Sequence, residues 1–388
     1  MTQSGKLKAP LWVCAVIWGA HMFSGGGAQA KDCTNDAGGV KHYRRLAEIS
    51  SIAEPIIGVF EVAPKKAKAI AHFRILYDGC EQIKEIQYYH GGTPKPIDEN
   101  FASNRFLPAS KVIFDRDGGR ARIRYYDNAG NPKSVFENVR SVMLVHDEAG
   151  KLSSAEFLDE NDELVFGGLG YARAEWIWRD NGSAIETHYD AAGNIVESSG
   201  EFPFREAQLD FGPDGFVKTI NPEGLSYHIE IARNEDRTRR FWRIVNADHS
   251  PGRGGAAGVS RIDYSYDENG YLIRAKYLDE NGEPLVALSG HMGFRRVYNE
   301  AGNRLAYHFL NENDEVWIPP DRGYAGQIFR WRQDGVVRMS TSYVNASEQV
   351  MAHPGRGYAT IVYDFDEYDL EIRRRFLDVA GDPVEATQ

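Results

Sequence analysis

Along RIDYSY (261–266), apolar and polar residues alternate: Ile262, Tyr264 and Tyr266 against Arg261, Asp263 and Ser265. A period of two places one set on a buried face and the other in solvent, which predicts a β-strand. The segment that follows behaves likewise, with Ile273, Ala275 and Tyr277 alternating with Arg274 and Lys276. Between them, DENG (267–270) suits a type I turn. Asp267 can accept a backbone N–H two residues on, and Gly270 tolerates the left-handed conformation that rejoins the ladder. The unit is a β-hairpin.

The hairpin recurs. YDENG from Tyr266, YNEAG from Tyr298, WRQDG from Trp331 and YDFDEY from Tyr363 align at spacings of 32, 33 and 32 residues. A second marker follows each one: YLDENGEPL from Tyr277, FLNENDEVW from Phe309, YVNASEQVM from Tyr343 and FLDVAGDPV from Phe376, spaced 32, 34 and 33. A third is read at Gly293-Phe294 and as GYA from Gly323 and Gly357. Three markers keeping one period are the signature of a repeat architecture. The same grammar extends back through FDRDGG, HDEAG and WRDNG to LYDGC from Leu76, so about ten units of 32–34 residues tile 68–388. Two turns depart from the pattern, where Glu235 and Asp236 replace the glycine turn and where Tyr368 stands at an expected glycine.

These markers predict an all-β fold: a tandem array of antiparallel β-hairpins, open and elongated or curved. A propeller blade needs about 40 residues or more, which the period falls short of. Tyr266, Tyr298, Trp331 and Tyr363 are expected to form one stacked column. Residues 31–67 lie outside the pattern; their YRRLAEISSI stretch has helical periodicity and is expected to cap the first edge of the array.

The YDxxGN, FxDxxGxPV and GYA markers resemble those of bacterial exported tandem-repeat proteins. More distantly they are similar to YD-repeat toxin shells and MORN-type hairpin arrays. The resemblance covers most of the chain and implies a stacked β-hairpin scaffold whose motif fixes no chemistry.

Composition agrees with many short strands and tight turns: Tyr 20, Phe 19, Trp 7 and Gly 39. A hydrophobic share of 42% with 26% charged residues excludes a disordered chain and a multi-span membrane protein. Residues 1–30 read as a signal peptide: Lys6 and Lys8, an apolar stretch from Leu11 to Phe23, and a small-residue end at Ala28-Gln29-Ala30. The apolar stretch, interrupted by His21, is short for a spanning helix, so the mature chain is expected to have no transmembrane segment and to be periplasmic or secreted. Losing Lys6 and Lys8 makes a chain of net charge −11 two charges more negative, a surface that repels nucleic acid. Cys14 leaves with the leader, and Cys33 and Cys80 remain as an even pair in an oxidising compartment, which predicts a disulfide.

Candidate chemistry is thin. DRDGG (115–119) and DENDE (159–163) put carboxylates at alternate positions, but the full calcium-loop spacing is absent, and turn formation accounts for their Asp and Asn. Arginines recur on polar strand positions, among them Arg122, Arg239, Arg332 and Arg373 to Arg375, where cross-strand pairing with Glu and Asp is favoured over a cationic stripe. HSPGRGGAAG (249–258) breaks the unit grammar as a long loop and is the candidate binding loop, with His249 and Arg253 as its candidate binding residues. No nucleophile elbow, HExxH or metal-ligand spacing is found, and no catalytic residue, metal ligand or cofactor is assigned. The functional expectation is an exported, non-catalytic repeat scaffold or binding protein whose partner is an envelope or extracellular protein or polysaccharide. The alternative is an enzyme acting on such a polysaccharide, with carboxylate chemistry in a groove of the array.

Overall fold

The computed structural model describes residues 37–97 and 106–385. Apart from one helical turn at Pro64–Ala67, its regular structure is strand: a single sheet of 24 strands, antiparallel throughout. No helix among the described residues is long and apolar enough to cross a membrane. The first strand, Ala37–Leu46, lies between Gly58–Glu61 and Ala71–Asp78. From Ile83–His90 onward neighbours in sequence are neighbours in space, except that the two-residue strand Thr93–Pro94 pairs only back onto Ile83–His90. The order ends at Glu371–Leu377, whose partners are Thr360–Phe365 and the two-residue strand Pro383–Val384. The sheet is open, not a barrel.

Each unit is built as its alternation requires. Arg261–Tyr266 pairs with Leu272–Leu278, and Ile262 and Ala275 are buried while Arg274 and Lys276 face out to Asp314. At the first turn, Asp267 Oδ1 accepts the backbone N–H groups of Asn269 and Tyr271 at 3.0 and 2.8 Å. The second turn folds the chain back so that Leu278 faces Pro284. The proline costs no ladder bond there, because the carbonyl of Glu283 and the N–H of Leu285 make the flanking bonds to Asp279 and Tyr277.

Gly270, Gly302 and Gly335 have φ of +80°, +88° and +73°, as the turn assignment requires. Gly270 also meets a packing demand: a Cβ there would stand 2.1 Å from the Phe60 ring. Gly270→Val should therefore cost about 1–3 kcal/mol from backbone strain alone. Urea unfolding would show it, and an unchanged midpoint would mean that residue 270 does not hold the left-handed conformation of this turn.

The structure corrects the register of several copies. In the last unit Asp366, not Asp364, begins the turn: Asp366 bonds with Leu370, as Asp267 does with Tyr271. Phe365 is thus the counterpart of Tyr266, and Asp369, at φ +62°, holds the position expected of Tyr368. Arg237, at φ +68°, does the same in the 234–238 turn, where Asp236 Oδ1 accepts from Thr238 N–H at 2.9 Å. The third marker is Gly290-His291-Met292, since Met292 bonds to Tyr277 as Ala325 does to Phe309.

The stacked column runs through the second and third markers, not the first. Tyr277, His291, Phe309, Tyr324, Tyr343, Tyr358 and Phe376 follow one another with centroids 4.6–6.0 Å apart. A second run, Tyr125, Phe136, Phe157, Tyr171, His188 and Phe204, has spacings of 4.1–6.5 Å. Rings edge-on or offset gain about 0.5–1.5 kcal/mol per pair beyond their burial. The first-marker rings lie outside it; Tyr266, for one, sits beside a turn where Arg45 of the N-terminal segment covers it at 5.1 Å.

That segment lacks the helix its periodicity suggests: Tyr43 to Leu46 belong to the first strand, which pairs along Ala71–Asp78 at the start of the array, and the chain then runs against later units of the sheet. The reason is polar: buried Arg44, Arg45 and Glu54 bond to distant units as well as to their own segment, where Arg45 meets Glu48 at 2.7 Å and Glu54 accepts the Ser51 N–H at 2.8 Å. Arg44 donates to the Tyr271 hydroxyl at 2.8 Å and Arg45 to the Gly270 carbonyl at 2.9 Å. Further on, Ala71 N–H bonds to Ala301, Lys95 Nζ to the Gly335 carbonyl at 2.9 Å, and Asn128 to the Tyr368 carbonyl at 2.8 Å. Four of these side-chain contacts join residues 225 to 240 apart in sequence. The open sheet is therefore coiled, with later turns lying along a seam against the first strands.

Candidate functional site

The 249–258 segment obeys the unit grammar after all. Asn246 to Ser250 form an ordinary second turn, closed by hydrogen bonds between Asn246 and Ser250 and followed by the Val245–Pro251 bridge. His249 occupies its left-handed position at φ +65° and is exposed. Asp248 accepts from the Ser250 N–H and hydroxyl, which hold its carboxyl below the usual range. Beyond the turn, Gly254 bridges Val259 and Ala256 N–H bonds to the Glu201 carbonyl, so the remainder is anchored as well. Arg253, also exposed, pairs with Glu280 at 2.6 Å. The sequence signal obscured here was a marker with His in place of Gly. Cys80 lies between Ala71–Asp78 and Ile83–His90, its N–H bound to Asp78 Oδ1 at 2.9 Å; Cys33 lies outside the described residues.

The outer arginines are largely paired, often with an acid in a turn of the following unit. Arg122 meets Asp162 at 2.6 Å, and Arg332 binds Asp369 through both oxygens at 2.5 and 3.0 Å. Arg239 is no surface residue: it is buried, bound to Glu201 at 2.6 Å and to Ser50 at 3.1 Å. Of the two segments considered for calcium, DENDE serves a turn, Asp159 Oδ1 accepting from Asn161 and Glu163 N–H at 2.8 and 3.0 Å, whereas Asp115 and Asp117 of DRDGG lie in a strand and Asp115 pairs with Arg124 at 3.2 Å. Among the described residues no group of three or more His, Cys, Asp or Glu is placed to hold a metal ion.

Two buried polar sites were missed from sequence. Glu186 accepts from Ser51 at 2.5 Å, Trp176 at 2.8 Å and His188 Nε2 at 2.8 Å. Burial pushes its carboxyl up, but these hydrogen bonds outweigh burial and hold it below the usual range. The carboxylate stands between hydroxyl and imidazole, so Ser51 is not set up as a nucleophile beside a base. Glu54 accepts from Val217 N–H at 2.9 Å and from Arg233 at 3.1 Å, and burial pushes its carboxyl up despite the guanidinium. The signal was present in the chain: charged residues at 44, 45, 48 and 54 interleaved with Leu46, Ile49 and Ile52.

Two cavities open along the seam. One, of about 450 Å³, lies among His90, Asn299, Asn303 and Arg332. The other, of about 390 Å³, lies between the first and last units and is lined by Asp127, Lys133, Trp331, Tyr363, Phe365 and Glu371, among others.

No family model matches the chain, and no curated protein matches it. Among solved structures it is similar to a chain of the Tc holotoxin pore of Photorhabdus luminescens (mutation TccC3-D651A), at 11% identity and a TM-score of 0.20, over 79% of this chain and 18% of that one. It therefore spans under a fifth of that chain's length. A putative 6-phosphogluconolactonase from Bacteroides uniformis is similar at 10% identity and a TM-score of 0.11, over 90% of this chain and 98% of that one. Likenesses this low leave the fold resting on the molecule's own register.

Proposed function

We propose that the chain is an exported, non-catalytic repeat scaffold that contacts an envelope or extracellular partner. The observation that carries this reading is that its acids are committed to architecture. Turn aspartates such as Asp267 and Asp159 accept backbone N–H groups, Glu54 and Glu186 tie the inner segment to the sheet, and Glu201 holds Arg239. The outer surface keeps a regular set of exposed turns, and the 249–258 segment is the partner contact within it. The test is capture from envelope extract by the mature chain, compared with His249→Ala and Arg253→Glu. A retained component should fall at least tenfold with Arg253→Glu. Capture indifferent to both variants would remove the loop from the reading, and steady turnover of an envelope polymer by the purified chain would overturn the non-catalytic assignment.

Export and the Cys33–Cys80 bridge belong to the same proposal. The secreted chain should begin at Lys31 and, unreduced, resist thiol alkylation at both cysteines. Two alkylated thiols in the oxidised protein would dispose of the bridge.

A further inference from the structure

We propose that the seam cavity of about 390 Å³ binds a neutral hexose unit of a polysaccharide. This deepens the binding-protein reading and rests on it. The volume falls within the range of small-ligand clefts, about 300–1,000 Å³. An uncovered ring supplies the platform. In earlier units the equivalent ring is taken: Arg45 covers Tyr266 at 5.1 Å, Tyr298 stacks on Tyr271 at 4.8 Å, and Lys95 covers Trp331 at 4.0 Å. Phe365, their counterpart in the last unit, has neither a ring nor a cation partner among the described residues, and it lines the cavity. Its negative π-face suits the C–H face of a pyranose, whose hydrogens carry partial positive charge.

The polar wall selects a neutral ring. Asp369 and Glu371 are held by Arg332 and Arg374 from outside the cavity, and Arg338 is engaged over the rings of Phe329 and Tyr363 at 5.4 and 5.2 Å. That leaves Lys133 and Asp127, of opposite sign and not paired with each other. Lys133 has no side-chain hydrogen bond or ion pair among the described residues, and Asp127 accepts only from Asn131, at 2.8 and 3.1 Å. A carboxylate ligand would set its charge near Asp127, and an ammonium near Lys133. A hydroxyl both donates and accepts, so neighbouring hydroxyls satisfy both groups at once. Ser110 accepts the Ile97 N–H at 3.0 Å and keeps its own proton to donate, while the amide nitrogen of Asn128 is spent on the Tyr368 carbonyl and its oxygen remains an acceptor. A ring with C–H groups on its faces and hydroxyls around its edge matches this division, and an all-equatorial hexose is such a ring.

Calorimetry on the full chain tests the assignment with cellotriose and two charged trimers of the same linkage, protonated glucosamine and glucuronate. Cellotriose should bind, and each charged trimer at least about tenfold more weakly. Phe365→Leu, which keeps an apolar side chain without a π-face, should weaken cellotriose about tenfold or more, and Phe365→Tyr should retain it. Asp127→Asn should narrow the gap for the glucuronate trimer alone, and Lys133→Gln the gap for the glucosamine trimer alone. Both are conservative, so the test stands if Phe365→Leu fails to fold. Ile177→Thr, an exposed position on Arg173–Trp178 outside the cavity, should leave binding unchanged. A charged trimer binding as tightly as cellotriose, or cellotriose binding indifferent to Phe365→Leu, would overturn the site. If cellotriose fails to bind while an envelope component is still captured, the site falls and the binding-protein reading stands. Hydrolysis of cellotriose would leave the site standing and overturn the non-catalytic reading instead.

Discussion

Glu54→Ala is expected to destabilise the fold by about 3–5 kcal/mol, the usual cost of removing one partner from a buried ion pair. The Glu54 side chain is fully buried and Arg233 is only 8% exposed, so water cannot replace the lost carboxylate. The same substitution strands the N–H groups of Ser51 and Val217, which Glu54 accepts at 2.8 and 2.9 Å. Urea unfolding of the purified chain measures the loss. Replacing both partners, Glu54→Leu with Arg233→Met, should recover much of it, because a buried pair contributes little net once its desolvation is counted. A single-variant loss below about 1 kcal/mol would mean that the segment is not locked to the sheet through this residue.

Acid is expected to weaken the protein through His291, and His291→Tyr to relieve it. Burial lowers the imidazole pKa, its hydrogen bond to the Gly293 carbonyl raises it by less, Arg322 adds a still smaller lowering, and the result is about 4. An unfolded histidine titrates near 6.5, so between the two values only the unfolded chain takes the proton. Stability is full above about pH 6.5 and falls as pH drops toward 4, by about 3 kcal/mol for a shift of this size. Tyr324 and Tyr358 hold the equivalent place in neighbouring units, so a tyrosine fits the ring ladder without titrating. The thermal midpoint of the variant should vary less between pH 4 and 7 than that of the parent. His90, also lowered to about 4 by burial and Lys95, leaves a residual slope. Parallel pH profiles would exclude His291 as the sensor.

Strands and turns were legible because each is specified locally. Alternation in 261–266 and the Asp267–Gly270 turn are decided by nearest neighbours, and the structure follows them. Register was less legible where a different residue fills the same conformational role, since Asp369 and His249 adopt the left-handed position that glycine marks elsewhere. The ring ladder was misplaced because aromatic spacing is the same for every marker, and only the coil decides which rings face one another. The role of residues 44–61 was hidden for a related reason. Their pattern reads as a helix until distant partners are brought beside them, Arg233 to Glu54 and Glu186 to Ser51.

The seam also has a consequence in time. Hairpins close between residues a few positions apart, which is fast, whereas Arg45 with Gly270 and Lys95 with Gly335 must find partners more than two hundred residues downstream. A chain made and threaded from its N-terminus presents the inner segment first and its partners last. Until residues 186–335 arrive, Arg44, Arg45 and Glu54 lack the partners that lock them to the sheet, and the half-built sheet leaves its apolar inner face in water. Stalling or truncation in that interval would produce a species with paired strands and an open interior, the form most in need of a holding chaperone.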